Sequence, residues 1–204
     1  MTTTLTSARS RLRTALEDSS GSPLWADGTL DEGLKRALDE YSQWSPDQAT
    51  TTFTAVAGDT SAAVPSGALQ LRRITDPNGW VIPEQLGGEP ARYVGDLELS
   101  WYVFADLIRF TRPLIAGDYT VFYLTAHAFP ANDSATFTIP DSDIPLLLAG
   151  GTVYALEVRG RQEWKRGPLP ARYSNAMLDA RTAYAAAWRE RRRVIRTSTL
   201  QATS

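Results

Sequence analysis

The sequence predicts an α+β fold, a bundle of about four helices interrupted by a central antiparallel β-rich insertion. Three observations lead there. Apolar residues recur at three- and four-residue steps up to Trp44 and again after Pro140, as on amphipathic helices. Between Thr50 and Thr125 the period falls to two, as in half-buried strands. The connections inside that central stretch are too short for helical crossovers, so antiparallel pairing is the economical arrangement.

The elements follow in order. Leu5, Ala8, Leu12, Ala15 and Leu16 line one face of a first helix, which the segment Ser19 to Pro23, with its Gly and Pro, is expected to end. In the second helix Leu30, Leu34, Leu38, Tyr41 and Trp44 share a face, Thr29 and Glu32 have the spacing of a capping box, and Pro46 closes the helix. Thr50 to Val56, Ala68 to Ile74, Trp80 to Ile82 and Leu97 to Val103 read as strands, with Asp76-Pro77-Asn78-Gly79 as a turn. Leu107 to Phe110 and Tyr119 to Thr125 flank Arg112-Pro113 and Gly117-Asp118 and read as a hairpin-like pair with a longer connection; Thr136 to Ile139 is a candidate last strand.

After Pro140 the helical period returns. Asp141 or Asp143 is placed to cap a helix starting near Pro145 and carrying Leu146 to Leu148, Val153, Leu156 and Val158. Gly150-Gly151 weakens it by about 1 kcal/mol per glycine relative to alanine, so close helix packing or a kink is expected there. Gly167-Pro168-Leu169-Pro170 turns the chain into a final helix. The expected bounds are a helical pair over 1–48, the β-rich insertion over 49–139, a second helical pair over 140–196 and a tail over 197–204.

The final helix concentrates charge. Glu157 to Ser204 holds 11 Lys/Arg against 4 Asp/Glu, net +7, which leaves 10 against 19, net -9, for the residues before it. Such asymmetry within one chain marks an interaction segment. Tyr173, Met177, Ala180, Tyr184, Ala187, Trp188 and Arg191 step by threes and fours, an apolar stripe that turns cationic at Arg189, Arg191, Arg192, Arg193 and Arg196. This pattern predicts a segment inserted into a partner rather than one that finishes a core. An acidic protein groove fits it better than nucleic acid, because arginine forks pair with carboxylates, aromatic anchors suit interfaces, and the chain has no recognised nucleic-acid-reading motif.

Composition and motifs exclude much else. There is no cysteine, hence no disulfide, thiolate nucleophile or sulfur-ligated metal. No signal peptide is apparent at the N-terminus, and Ile144 to Val158 is too short and too broken to span a membrane, so a soluble protein is expected. His127, the single histidine, has no recognised partner spacing and reads as structural. Asp133, Asp141 and Asp143 lack the calcium-loop pattern, and Gly87-Gly88 and Gly150-Gly151 lack a phosphate-loop pattern. No catalytic, metal or cofactor site is therefore predicted.

The ordered elements also carry a family resemblance. Leu24-Trp25-Ala26-Asp27 precedes the helix from Leu30 to Ser42, Ala116-Gly117-Asp118 precedes Val121 to His127, and Thr138-Ile139-Pro140-Asp141 opens a helix. In this order they resemble the head–tail connector adaptor proteins of tailed bacteriophages. The resemblance implies a non-enzymatic virion protein of the neck, present in the host cytoplasm during assembly. It implies a homo-oligomeric, commonly dodecameric ring that docks on the portal protein, extends the channel for passing genomic DNA without reading its sequence, and mounts stopper or tail proteins. Carried onto this chain, Trp188, Arg189, Arg191, Arg192, Arg193 and Arg196 would grip the portal, and Trp80 with the Trp101-Tyr102 edge would face a subunit or the tail. Two rivals stand beside it: a stopper or tail-terminator ring, and a small enzyme or sugar-binding domain with Trp80, Trp101, Tyr102 and Tyr123 lining a pocket.

Overall fold

The computed structural model describes residues 3–18, 24–85, 99–165 and 171–201. Among them are four α-helices and two antiparallel sheets, an α+β fold. The chain forms two compact units, one made of Met1–Ser45 with His127–Ser204 and the other of Pro46–Ala126.

The first unit holds α1 (Leu5–Ala15), α2 (Asp27–Trp44), α3 (Ile144–Trp164) and α4 (Ala171–Gln201). Leu5, Ala8 and Leu12 of α1 are buried as their spacing predicts, whereas Ala15 is exposed. Thr4 caps α1 by accepting from the Ser7 amide at 3.2 Å. The helix stops before the predicted segment, because Glu17 adopts a left-handed φ of 56° and the Asp18 amide turns back to the Arg13 carbonyl at 2.8 Å; residues 19–23 lie outside the described set. Asp18 is then fully enclosed. Its carboxylate accepts from the amides of Leu24 and Trp25 and from Arg13, whose other nitrogen reaches Asp27 at 2.6 Å.

In α2, Leu30, Leu34, Leu38 and Tyr41 are buried, but Trp44 is half exposed. The capping box is not formed. The helix begins at Asp27, so Thr29 lies inside it, and its N-cap Ala26 offers no side-chain acceptor.

The glycines of α3 are a helix-crossing device rather than a kink. A Cβ on Gly33 of α2 would fall 3.0 Å from the Gly151 carbonyl oxygen, and one on Gly150 would fall 2.8 Å from the Ala37 Cβ. The backbones of α2 and α3 therefore meet where side chains are missing. The core around this crossing takes residues from all four helices and from Phe137 and Ile139. Thr136 to Ile139 is accordingly not a strand. Thr136 makes one isolated bridge to Thr4, and Phe137 and Ile139 after it turn inward to pack with the helices.

Among its described residues the second unit forms strands and no helix. One sheet has the order β1 (Asp47–Ala55), β7 (Gly117–Thr125), β3 (Ala68–Thr75), β4 (Val81–Ile82); the other has β2 (Ser61–Ala63), β6 (Leu107–Phe110), β5 (Trp101–Phe104). The sequence reading paired β6 with β7 as neighbours. They lie instead in different sheets: β7 is central between β1 and β3, and β6 is central between β2 and β5. The true hairpin is β5–β6, whose connecting Ala105 and Asp106 both have positive φ, 51° and 59°, as a two-residue hairpin turn demands. Ile74, Tyr119 and Val121 from one sheet and Trp101, Ile108 and Phe110 from the other share a single core.

The glycine crossing generates a paired prediction. Gly150→Ala gains helix propensity of about 1 kcal/mol yet overpacks the crossing, and a net destabilisation of about 1–3 kcal/mol is expected. Gly28→Ala, at an exposed helix position with open space around it, is expected to stabilise by up to about 1 kcal/mol. Urea unfolding of the two variants reads the opposite signs.

Candidate functional site

The C-terminal helix is anchored in the helical unit. Tyr184, Trp188 and Arg191 fall on one face of α4 through four- and three-residue spacing, and that face turns into the bundle. Tyr184 and Trp188 are 9% and 5% exposed. The Trp188 ring lies 6.2 Å from Tyr41, 6.4 Å from Trp44 and 6.2 Å from Tyr184, within the range of favourable aromatic pairing. From Ala180 to Trp188 the apolar stripe thus packs into the core of the bundle.

Beneath Trp188 sits a buried polar hub. Asp143, in the 3-10 turn Asp141–Asp143 that leads into α3, is 3% exposed and accepts from the Tyr41 hydroxyl of α2 and from Arg191 Nη2 of α4 at 2.7 Å. Ser142 Oγ donates to its other oxygen at 3.2 Å. The capping role expected of Asp143 is replaced by this tie: no side-chain cap opens the 3-10 turn, and both carboxylate oxygens are occupied by side-chain donors. A carboxylate this deep needs a cation and hydrogen-bond donors, and α4 supplies the cation.

His127 belongs to the same region and is structural in its bonding. Its Nε2 donates to the Ser45 carbonyl at 2.9 Å, which leaves Nδ1 to accept from the Thr138 hydroxyl at 2.7 Å, and its amide donates to Ser42 Oγ at 3.0 Å. Both ring nitrogens are therefore engaged. A second tie joins α2, α3 and α4: Glu40 accepts from the hydroxyls of Tyr154 at 3.0 Å and Tyr184 at 2.9 Å. Burial, reinforced by the adjacent Glu40 carboxylate, pushes the Tyr154 hydroxyl up to about 12 and raises that of Tyr184 as well. Among the described residues no cluster of three or more His, Cys, Asp or Glu could hold a metal ion, and no helix is long and apolar enough to cross a membrane.

The residues predicted to grip a portal therefore separate. Trp188 and Arg191 are occupied within the chain, because completing the bundle buries one and neutralising Asp143 takes the other. Arg189 is exposed and makes no ion pair among the described residues. Arg192, Arg193 and Arg196 lie on the continuing helix, with their side chains outside the described set.

The residues predicted at a subunit or tail interface separate too. Trp101 is 1% exposed, and its indole donates to the Ile82 carbonyl at 3.0 Å, so it is core rather than edge surface. Tyr102 is half-buried opposite Arg109, and Trp80 is 75% exposed on the turn before β4. With Trp101 committed to the core, the aromatic wall required by a sugar-binding reading loses its central member. Sequence reasoning missed Asp143 and Glu40 as packing ties, because a carboxylate near a helix start reads as a cap and one on an amphipathic helix reads as solvated surface.

A family model for the SU10 adaptor protein matches residues 3–203. The chain belongs to that family. No curated protein gives a significant match. Membership spans both units and agrees with the phage head–tail adaptor resemblance drawn from the ordered elements. A structural adaptor family also implies a non-enzymatic role.

Two outcomes test how this adaptor holds its last helix. Arg191→Ala leaves the Asp143 carboxylate without its cation, and a loss of about 2–3 kcal/mol is expected, below the range for a fully buried pair because Arg191 is a quarter exposed; thermal unfolding measures it. Stability should also fall at alkaline pH. The folded-state values of Tyr154 and Tyr184 lie above the unfolded value of 10.0, so the protonated hydroxyls favour the fold, and this contribution is full below pH 10 and drains away as pH rises toward 12. Denaturant titrations across that window should show the decline, and Tyr154→Phe should flatten it.

Proposed function

We propose that the chain is a structural adaptor of a phage neck: a virion protein that assembles in several copies as a ring, docks on the portal protein, extends the DNA channel and mounts the stopper or tail. Membership of an adaptor family over nearly the whole chain supports the class of function. The observation that carries the docking step is the division of labour along α4. The helix is fastened to its own bundle up to Arg191 and continues to Gln201, about 15 Å further at the usual helical rise.

On this reading Trp188 and Arg191 fix the direction in which the helix leaves the bundle. Arg189, Arg192, Arg193 and Arg196 then meet the portal, where arginine forks pair with carboxylates on the partner. Because the bundle already fixes the direction of the helix, docking does not have to orient it, which reduces the entropic cost. The β-rich unit, through Trp80, faces the neighbouring subunit or the tail side. The sheet unit between two halves of a helical bundle is read as the insertion that carries this second surface.

A cut placed after Arg191 separates docking from folding. The chain ending there keeps Trp188 and the Asp143 tie, so its stability is expected to stay within about 1 kcal/mol of the full chain. Its affinity for the portal is expected to fall at least about a hundredfold, the equivalent of about 2.7 kcal/mol. Portal binding by the truncated chain as tight as that of the full chain would remove the docking role from this segment.

A further inference from the structure

We propose that neighbouring copies meet through their β-rich units, a cationic face around Arg72 and Arg73 of one copy seating on an anionic recess bordered by Glu84 and Asp106 of the next. The proposal deepens the multi-copy reading above and rests on it.

One strand arms both surfaces. β3 and β7 lose register twice, which leaves Leu69 and Arg72 as extra residues with no partner across the ladder. A bulge of this kind takes its extra side chain out of the regular alternation and re-aims it. Leu69 is accordingly 58% exposed, and Arg72 is exposed beside an exposed Arg73.

The cationic face spans three strands. Thr50, Phe122 and Arg73 stand in one row across β1, β7 and β3, and the Arg73 guanidinium lies 4.0 Å over the Phe122 ring. Stacking holds the planar group in place and leaves its N–H edge open to a carboxylate. With Arg72 these residues line a concavity of about 620 Å³ whose wall contains no acidic side chain. Neither arginine makes an ion pair among the described residues. Asp47 and Asp118, near the ends of β1 and β7, are turned to the Gln48 amide at 2.9 Å and the Thr54 hydroxyl at 2.6 Å.

The anionic recess has the opposite make-up. Leu69, Glu84, Val103 and Asp106 border a hollow of about 310 Å³ that reaches Trp101, and its wall contains no basic side chain. Glu84 and Asp106 are exposed and without an ion pair among the described residues, and Val103 is 46% exposed. Both carboxylates sit on braced backbone. Glu84 forms a parallel bridge to Trp101, flanked by the Gln85 amide on the Trp101 carbonyl at 2.7 Å and the Trp101 amide on the Pro83 carbonyl at 3.0 Å. Asp106 belongs to the two-residue turn of the β5–β6 hairpin. Charges held on such a frame lose little entropy on docking.

Two free guanidiniums without an anion thus match two free carboxylates without a cation, each set bordered by apolar side chains. Arg72, carried outward by its bulge, enters the recess with its stem along Leu69 and Val103 and its guanidinium on the carboxylates, while Arg73 pairs at the rim. Like faces repel, so charge selects cationic face against anionic recess and rejects either surface against itself. The contact is therefore heterologous and propagates from copy to copy, as ring closure requires.

The chain has no cysteine, so engineered thiols report this contact without background. One full-length chain carries Thr50→Cys on the cationic face and a second carries Ala105→Cys beside Asp106; they are mixed and linked with a short bismaleimide. Heterodimer is expected at least about fivefold above that formed with a Lys35→Cys partner, whose thiol lies on the exposed face of α2, and the excess should shrink in about 0.5 M salt. Adding Arg72→Glu and Arg73→Glu to the first chain should return the yield to the control. Adding Glu84→Arg and Asp106→Arg to the second chain as well should restore it, a rescue that a merely misfolded variant does not give. A yield equal to the control, one indifferent to the arginine reversals, or no rescue by the compensating pair would overturn the proposal. Sedimentation of the unaltered chain reads self-association separately, so a failed link with intact self-association strikes this interface alone and leaves the multi-copy reading standing.

Discussion

The closeness of α2 and α3 governs the helical unit. Gly33 meets Gly151, and Gly150 meets Ala37, so the two backbones approach to a distance at which ordinary side chains would collide. Leu34 and Leu12 then pack over Gly151, and Tyr184 of α4 reaches across to Gly150. Each glycine weakens α3 as an isolated helix, but the interior gained around the crossing outweighs that local cost. The third and fourth helices inherit their places from this contact.

Buried polar ties fix what apolar packing alone leaves free to slide. Asp143 holds α2 to α4 through Tyr41 and Arg191, and Glu40 joins α2 to α3 and α4 through two tyrosine hydroxyls. Such ties have a direction, since a carboxylate is satisfied only when its donors arrive at the right height along each helix. α4 therefore has one register in the bundle. That register decides which turn of the helix is held by the bundle and where the helix continues beyond it.

How much was legible depended on the range of the interaction. The buried faces of α1 and α2 were plain, because Leu5, Ala8, Leu12 and Leu30, Leu34, Leu38 repeat with the helical period and that period is local. The close packing expected at Gly150-Gly151 is there, since few other roles explain paired glycines inside an apolar helix. The stripe from Ala180 to Arg191 was legible as a stripe but not as to its destination. A helix face of Tyr, Trp and Arg reads alike whether it seats in a partner or in its own bundle, and only the presence of Asp143 and Tyr41 opposite it settles the matter. Of the arginine cluster seen in the sequence, Arg191 is thus taken inward while Arg189 stays exposed.

By itself the chain determined the types of its main elements, the helical and strand periods, the absence of cysteine chemistry and the concentration of positive charge near its end, all properties of neighbouring residues or simple counts. Tertiary structure decided the rest. It placed β6 and β7 in separate sheets, made Ala105 and Asp106 the hairpin turn, sank Trp101 into the core and left Trp80 outside, and committed Trp188 and Arg191 inward. The physical reason is that burial and charge pairing are settled between residues far apart in sequence: a tryptophan or an arginine carries no mark of its partner, and the partner exists only once the chain has folded back to supply it.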